Sequence, residues 1–228
     1  TEGKKGNWLV ESVKESEQKR SPKAPFTTST LQQTASSRLG YSPSRTMQLA
    51  QKLYEAGHIT YMRTDSTTLS KVAQAQIIAQ IKKSYGDKYV EARVFKTKSK
   101  NAQEAHEAIR PTHIEVAHAG TLEQQRLYQL IWERTIASQM TDAKQKKKKI
   151  TAVIEGQPDL PGFSATGSRL LFPGWLEADL GSRGEDVELP ECKEGEKLKL
   201  LDLRSEEKFT EPPGRYSEAG LIKELEAR

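Results

Sequence analysis

A chain of 228 residues is long enough for one or two domains with cores of their own. Only 35% of it is hydrophobic, its mean hydropathy is -0.74, it has no apolar run of the roughly 20 residues that a membrane helix needs, and its first residues show no signal-peptide pattern; its single cysteine, Cys192, excludes an internal disulfide and a cysteine-cluster metal site. The formal charge of +5 hides a polarity, because residues 1–150 carry 26 Lys and Arg against 14 Asp and Glu, while residues 151–228 carry 10 against 17. The basic part suits a polyanion, whose condensed counterions lysine and arginine displace.

The first predicted element is a strand over Asn7 to Glu17, with Trp8, Val10 and Ser12 on one face and Leu9, Glu11 and Val13 on the other. Ser21-Pro22-Lys23-Ala24-Pro25 breaks it, since proline fixes φ and removes a donor. A helix follows through Leu31, Ala35 and Leu39, capped by Ser29 or Thr30 and stopped by Gly40. Ser42 and Pro43 start a second, with Met47, Ala50, Leu53 and Tyr54 as its apolar stripe and Gly57 as its end. A third runs from about Lys71 to Tyr85 on Ala73, Ile77 and Ile81, with Ser66, Thr67 and Ser70 offering caps. A fourth runs from about Thr121 to Met140 on Leu127, Leu130, Ile131 and Ile136.

After residue 142 the character changes. Lys146-Lys147-Lys148-Lys149 reads as a solvated edge or loop. Ile150 to Ile154, the recurrent Gly and Pro after it, and the alternating start of Lys197 to Leu203 read as strands joined by turns. Ser217 then caps a helix that includes Leu221, Ile222 and Leu225, and the chain ends inside that pattern.

The chemistry concentrates in His58-Ile59-Thr60-Tyr61-Met62-Arg63-Thr64-Asp65-Ser66, where a phenol, a guanidinium and a carboxylate fall within five residues. A phenol with an ordinary pKa near 10 is a poor nucleophile at neutral pH, but a nearby cation favours its phenolate and can hold a phosphate for attack. Tyr61 and Arg63 are two apart, so an extended backbone turns them to the same side. On spacing alone, the plainer reading is a short strand with a buried tyrosine and a surface arginine.

Four further runs narrow the choice: Phe26-Thr27-Thr28-Ser29-Thr30-Leu31-Gln32-Gln33; Gln51-Lys52-Leu53-Tyr54-Glu55-Ala56-Gly57; Gln103-Glu104-Ala105-His106-Glu107-Ala108-Ile109-Arg110-Pro111-Thr112; and Arg215-Tyr216-Ser217-Glu218-Ala219. With the tyrosine segment they occur in the order found in the bacterial type IA DNA topoisomerases of the topoisomerase I family, which the chain resembles nearly end to end, most weakly over residues 150–205. Met62 stands where the related topoisomerase III group usually has proline.

This resemblance implies a multidomain α and β fold. A helical domain with a winged-helix, catabolite-activator-like fold (25–145) carries the tyrosine and is inserted into a discontinuous β-rich arch (1–24 and 146–210). Residues 211–228 begin a further helical domain. It also implies that Tyr61 attacks a phosphodiester of single-stranded DNA, leaving a 5′-phosphotyrosine link and a free 3′ hydroxyl, so that negatively supercoiled DNA relaxes without ATP. Arg63 is the implied phosphate clamp, and His106 the phosphate-binding or proton-handling residue. Asp65 either orients Arg63 or His106, or caps the turn at Thr64-Asp65-Ser66. Arg110 either touches DNA or sits at a helix end that favours a cation. The tetralysine departs from the mixed polar sequence usual there and receives no role in the DNA gate.

The family's Mg²⁺ belongs to an Asp-x-Asp-x-Glu cluster in a Toprim domain, and no such triplet occurs in these residues. His-Glu-x-x-His, a P-loop and cysteine-based zinc modules are also missing. The expectation is therefore a central portion of a cytoplasmic, nucleoid-associated enzyme. It depends on the other domains of its parent chain and is inactive by itself. Two rivals stand beside it: a non-catalytic single-stranded nucleic-acid binding module that uses the basic half, and another type IA enzyme, topoisomerase III or reverse gyrase.

Overall fold

Strand β1 (Trp8–Arg20) opens the chain and is followed by helices α1 (Thr28–Leu39), α2 (Pro43–Glu55), α3 (Lys71–Tyr85) and α4 (Leu122–Ser138). Strands β2 (Ala143–Ile154), β3 (Phe163–Phe172) and β4 (Lys197–Leu198) come next, and helix α5 (Glu218–Ala227) is last. The structure is a computed structural model that describes residues 6–95 and 107–227. It divides into two compact units. One comprises Thr1–Arg20, Ala143–Pro173 and Gly184–Pro213, and the other Ser21–Asp142, Gly174–Arg183 and Gly214–Arg228. The chain passes between the units after residues 20, 142, 173, 183 and 213, so that 174–183, within the span 146–210 read as arch, and most of 211–228 lie in the helical unit.

The β unit is one antiparallel sheet in the order β3-β2-β1-β4. Trp8, Val10, Ala143 and Ile154 are its buried apolar residues among those described, and Phe163 meets Trp8 edge-on at 5.1 Å. A bulge between Val10 and Ser12 corrects the predicted faces. The extra residue reverses the alternation, so Val13 shares the face of Val10, while Ser12 joins Leu9. The tetralysine is neither edge nor loop: it forms the middle of β2, paired with β1 on one side and β3 on the other.

Local signals set the helices. Thr27, not Ser29 or Thr30, caps α1, and its capping box with Thr30 satisfies two backbone donors. Ser42 with Pro43, and Ser70, open α2 and α3, while Gly40 ends α1 in the left-handed conformation. Helix α4 packs against α1, α2 and α3 through Leu127, Leu130, Ile131 and Ile136. Its Tyr128 and Trp132 donate to the carbonyls of Val116 and Ile114 at 2.6 and 2.9 Å, which fastens the preceding loop. On α2 the buried stripe is Thr46, Leu49, Ala50 and Leu53; Tyr54, predicted within it, is exposed. No helix among the described residues is long and apolar enough to cross a membrane.

Gly174 has φ +50, and an added Cβ would lie 2.5 Å from the carbonyl oxygens of both Thr141 and Asp142. Backbone oxygens give way less easily than side chains, so Gly174→Ala is expected to destabilise the helical unit by about 1–3 kcal/mol. A urea titration of both proteins checks this, and an unchanged midpoint would refute the clash.

Candidate active site

The tyrosine segment leaves α2 through Gly57 (φ +76) and continues as an irregular stretch, bent at His58, Thr60 and Met62, that does not become a strand. Its only ladder contact among the described residues is an isolated bridge between Ile59 and Pro111. Side-chain hydroxyls anchor the rest. Thr60 Oγ1 donates to the Ala108 carbonyl at 2.7 Å and accepts from the Arg110 N–H at 3.0 Å, while the Thr60 N–H donates to the Arg110 carbonyl. Two residues on, Thr28 at the start of α1 takes over. Its hydroxyl donates to the Met62 carbonyl at 2.7 Å and accepts from the Thr64 N–H at 2.9 Å, and its own N–H donates to the Thr64 carbonyl at 2.9 Å.

These anchors produce a regular alternation. Met62, Thr64 and Ser66 are buried, while Tyr61, Arg63 and Asp65 are exposed. By this alternation the phenol, guanidinium and carboxylate share the outward side. Tyr61 is 49% exposed, and its ring rests edge-on against Tyr54 with centroids 5.2 Å apart, a favoured aromatic geometry. Neither Arg63 nor Asp65 enters an ion pair among the described residues. The turn is capped by Thr64 rather than Asp65: the Thr64 hydroxyl accepts from the Ser66 N–H at 3.1 Å.

Behind the segment lies the loop of the His106 motif. His106 itself falls outside the described residues. From Glu107 onward the loop is not helical, so Arg110 is not at a helix end. Ile109 bridges Phe26, and Arg110 pairs with Glu107 at 2.7 Å and donates to the Pro111 carbonyl at 2.9 Å. Burial would push the Glu107 carboxyl up, but hydrogen bonds from Arg110 and Ser70 outweigh it and hold the group below the usual carboxylate range. The Arg110 side chain is thus largely committed inside the loop, with a buried Nε that has no partner among the described residues.

Sequence reasoning singled out Tyr61, Arg63 and Asp65, which the fold brings onto one side, and missed the residues that hold them there. The hydroxyl run Thr27-Thr28-Ser29-Thr30 signals a helix cap, but nothing local shows that Thr28 is free to fasten a segment 34 residues away. Glu107 carried no separate signal either. Among the described residues no group of three His, Cys, Asp or Glu is arranged to hold a metal ion.

Comparison with known proteins gives a consistent picture. The family described as DNA topoisomerase matches residues 2–228. The DNA topoisomerase 1 of Rickettsia bellii is 44% identical over 243 residues, covering 98% of this chain and 30% of that protein. That of Streptomyces coelicolor is 46% identical over 241 residues, covering 97% of this chain and 25% of that protein. Among solved structures, full-length topoisomerase I from Thermotoga maritima superposes with a TM-score of 0.85 at 34% identity, covering 99% of this chain and 38% of the other. The chain therefore spans about a third or less of the length of these relatives.

Proposed function

Because the chain belongs to the DNA topoisomerase family, among the bacterial type IA enzymes, we propose that Tyr61 is the nucleophile that cuts and reseals one DNA strand. The observation that carries this reading is the exposed side shared by Tyr61, Arg63 and Asp65 on a backbone held by Thr28 and Thr60. The Tyr61 oxygen attacks a backbone phosphorus of single-stranded DNA. A phosphorus–oxygen bond to tyrosine forms as the bond to the 3′ oxygen breaks, the phenol proton leaves, and the 3′ oxygen takes up a proton. One phosphodiester replaces another, so the energy of the cut is kept and resealing needs no ATP. Passage of another strand before resealing relaxes negatively supercoiled DNA.

Arg63 clamps the phosphate and balances the charge that builds in the pentavalent transition state. Asp65 orients Arg63 or His106, and His106 binds phosphate or handles the proton. Arg110, tied to Glu107, supports the loop behind the tyrosine and reaches DNA only at the cost of that pair. The 25–145 region is the tyrosine-bearing domain, and the β unit belongs to the arch into which it is inserted. Magnesium does not fit these residues, since no suitable cluster occurs among the described ones. We place its holder elsewhere in the parent chain, and no step above runs through it. By itself this chain is then inactive in relaxation.

The test uses single-stranded DNA labelled at its 3′ end. It is mixed with this chain and Mg²⁺, with and without the acidic-cluster portion of a relative, and then denatured. Label on the protein only when both portions are present is the expected result. No label from portions shown to bind each other and the DNA would favour the binding-module rival. In the same assay Arg63→Ala is expected to slow adduct formation by about 10²–10³-fold, the usual loss for one preorganised donor at a developing charge. A rate within about threefold of the parent would remove Arg63 from the transition state.

A further inference from the structure

The register of the sheet sorts its charges onto two faces. On the face of Val13 and Ile150, Lys146 pairs with Glu15 at 2.7 Å, and Lys148 pairs with Glu191 at 3.1 Å and donates to the Pro190 carbonyl. The 187–191 segment covers that face beside Gly167, where a Cβ would run into Val187 and Leu189. The opposite face is different. Lys14, Lys147 and Lys149 lie on it with Ser16, Thr166 and Ser168 as cross-strand neighbours, and none of the three lysines forms an ion pair among the described residues. No position of this face from Ser12 to Gln18, from Gln145 to Val153, or at their β3 partners is buried, acidic or aromatic.

Lys14 and Lys149 are paired directly across β1 and β2. Like charges directly opposite on a sheet destabilise it, and Lys147 adds a third cation on the same face, about 7 Å along β2. Exposed lysines commonly keep free strand edges from aggregating, which accounts for Lys14, since β4 pairs with β1 only at Trp8 and Leu9, but not for Lys147 and Lys149, since β2 is paired on both sides. Phosphate oxygens would neutralise the three cations, and the flanking serine and threonine hydroxyls add donors of the kind that contact DNA backbones. Single strands are normally gripped by aromatic platforms, and this face has none.

We propose that this lysine-and-hydroxyl face of the sheet is a second DNA-binding surface, which holds duplex DNA by its phosphates without reading sequence. That the ligand is a polyanion rests on the sheet alone; that it is DNA rests on the family reading above. The surface belongs to the β unit, whereas Tyr61 belongs to the helical one.

The test is fluorescence anisotropy of the whole chain with a labelled duplex of about 20 base pairs, titrated across salt. Changing Lys14, Lys147 and Lys149 together to Gln is expected to weaken duplex binding by about tenfold and to lower the salt slope by about 2 to 3, near 0.9 per phosphate contact. The same loss of charge on the other face, Lys19→Gln with Lys144→Gln and Arg169→Gln, is expected to do markedly less. Unchanged binding in the first variant, an equal loss in the second, or a loss confined to single-stranded DNA would each overturn the proposal. Relief of the like-charge pair should leave the first variant's melting temperature equal or higher, and Lys147→Arg with Lys149→Arg should keep duplex binding. Tyr61→Phe is expected to bind the duplex like the parent. Duplex binding with no adduct even when the acidic-cluster portion is present would therefore sink the nucleophile alone, and an adduct without the salt-slope change would sink this surface alone.

Discussion

Tyr61→Phe should abolish the covalent protein–DNA adduct and leave the protein folded. Phenylalanine keeps the ring, so the edge-on contact with Tyr54 survives. The position is 49% exposed, so no buried group is left unpaired, and stability should change by no more than about 0.5 kcal/mol. What is lost is the only atom proposed to form the new bond. Removal of a nucleophile in a well-studied hydrolase costs about 10⁶-fold, which puts the residual adduct below detection. Single-stranded DNA binding should stay within about twofold, because an exposed hydroxyl contributes little to affinity unless it is desolvated. The measurement pairs the 3′-label assay with a melting curve. A persistent adduct would move the nucleophile to another residue. An unfolded variant would make Tyr61 structural and take away the main support for the proposed chemistry.

What could be read in advance divides by the range of the interactions involved. Helix boundaries were legible because their causes are local. Ser42 with Pro43, Ser70 and Gly40 all act within one turn of the element they start or stop. The exposed side shared by Tyr61, Arg63 and Asp65 was legible for the same reason, since a period of two is a local pattern. The partner of that backbone was not legible. A strand was expected to find a ladder, whereas this segment is held by the hydroxyl of Thr28, 34 residues earlier, and by its own Thr60 hydroxyl on the carbonyl of Ala108, 48 residues later. The tetralysine failed for a related reason. Its charge argued for a solvated edge, yet its β1 partners lie about 130 residues earlier in sequence, and pairing at that distance leaves no trace in local composition. The bulge at Glu11 defeated the face assignment in β1, because one inserted residue exchanges the two faces for everything that follows.

Thr28→Val tests whether the hydroxyl anchors serve catalysis as well as folding. Valine matches threonine in shape but lacks the hydroxyl, so the Met62 carbonyl loses its donor and the Thr64 N–H its acceptor. Met62 and Thr64 are buried, at 1% and 8% exposure, and water does not readily replace the lost partners, which sets the cost at about 1–3 kcal/mol of stability. The backbone bond from the Thr28 N–H to the Thr64 carbonyl remains, so the segment should loosen without detaching. Misplacing a reacting group by about 1 Å can cost about 10²-fold in rate, and Tyr61 and Arg63 flank the freed Met62. The expected result is therefore a drop of that order in adduct formation at saturating DNA, with DNA affinity nearly unchanged, because no contact to DNA has been removed. Thr28→Ser, which restores the hydroxyl, should recover most of the rate. A variant that loses stability but keeps its rate would make Thr28 a folding residue only. Equal losses of rate and affinity would point instead to direct contact between Thr28 and the DNA.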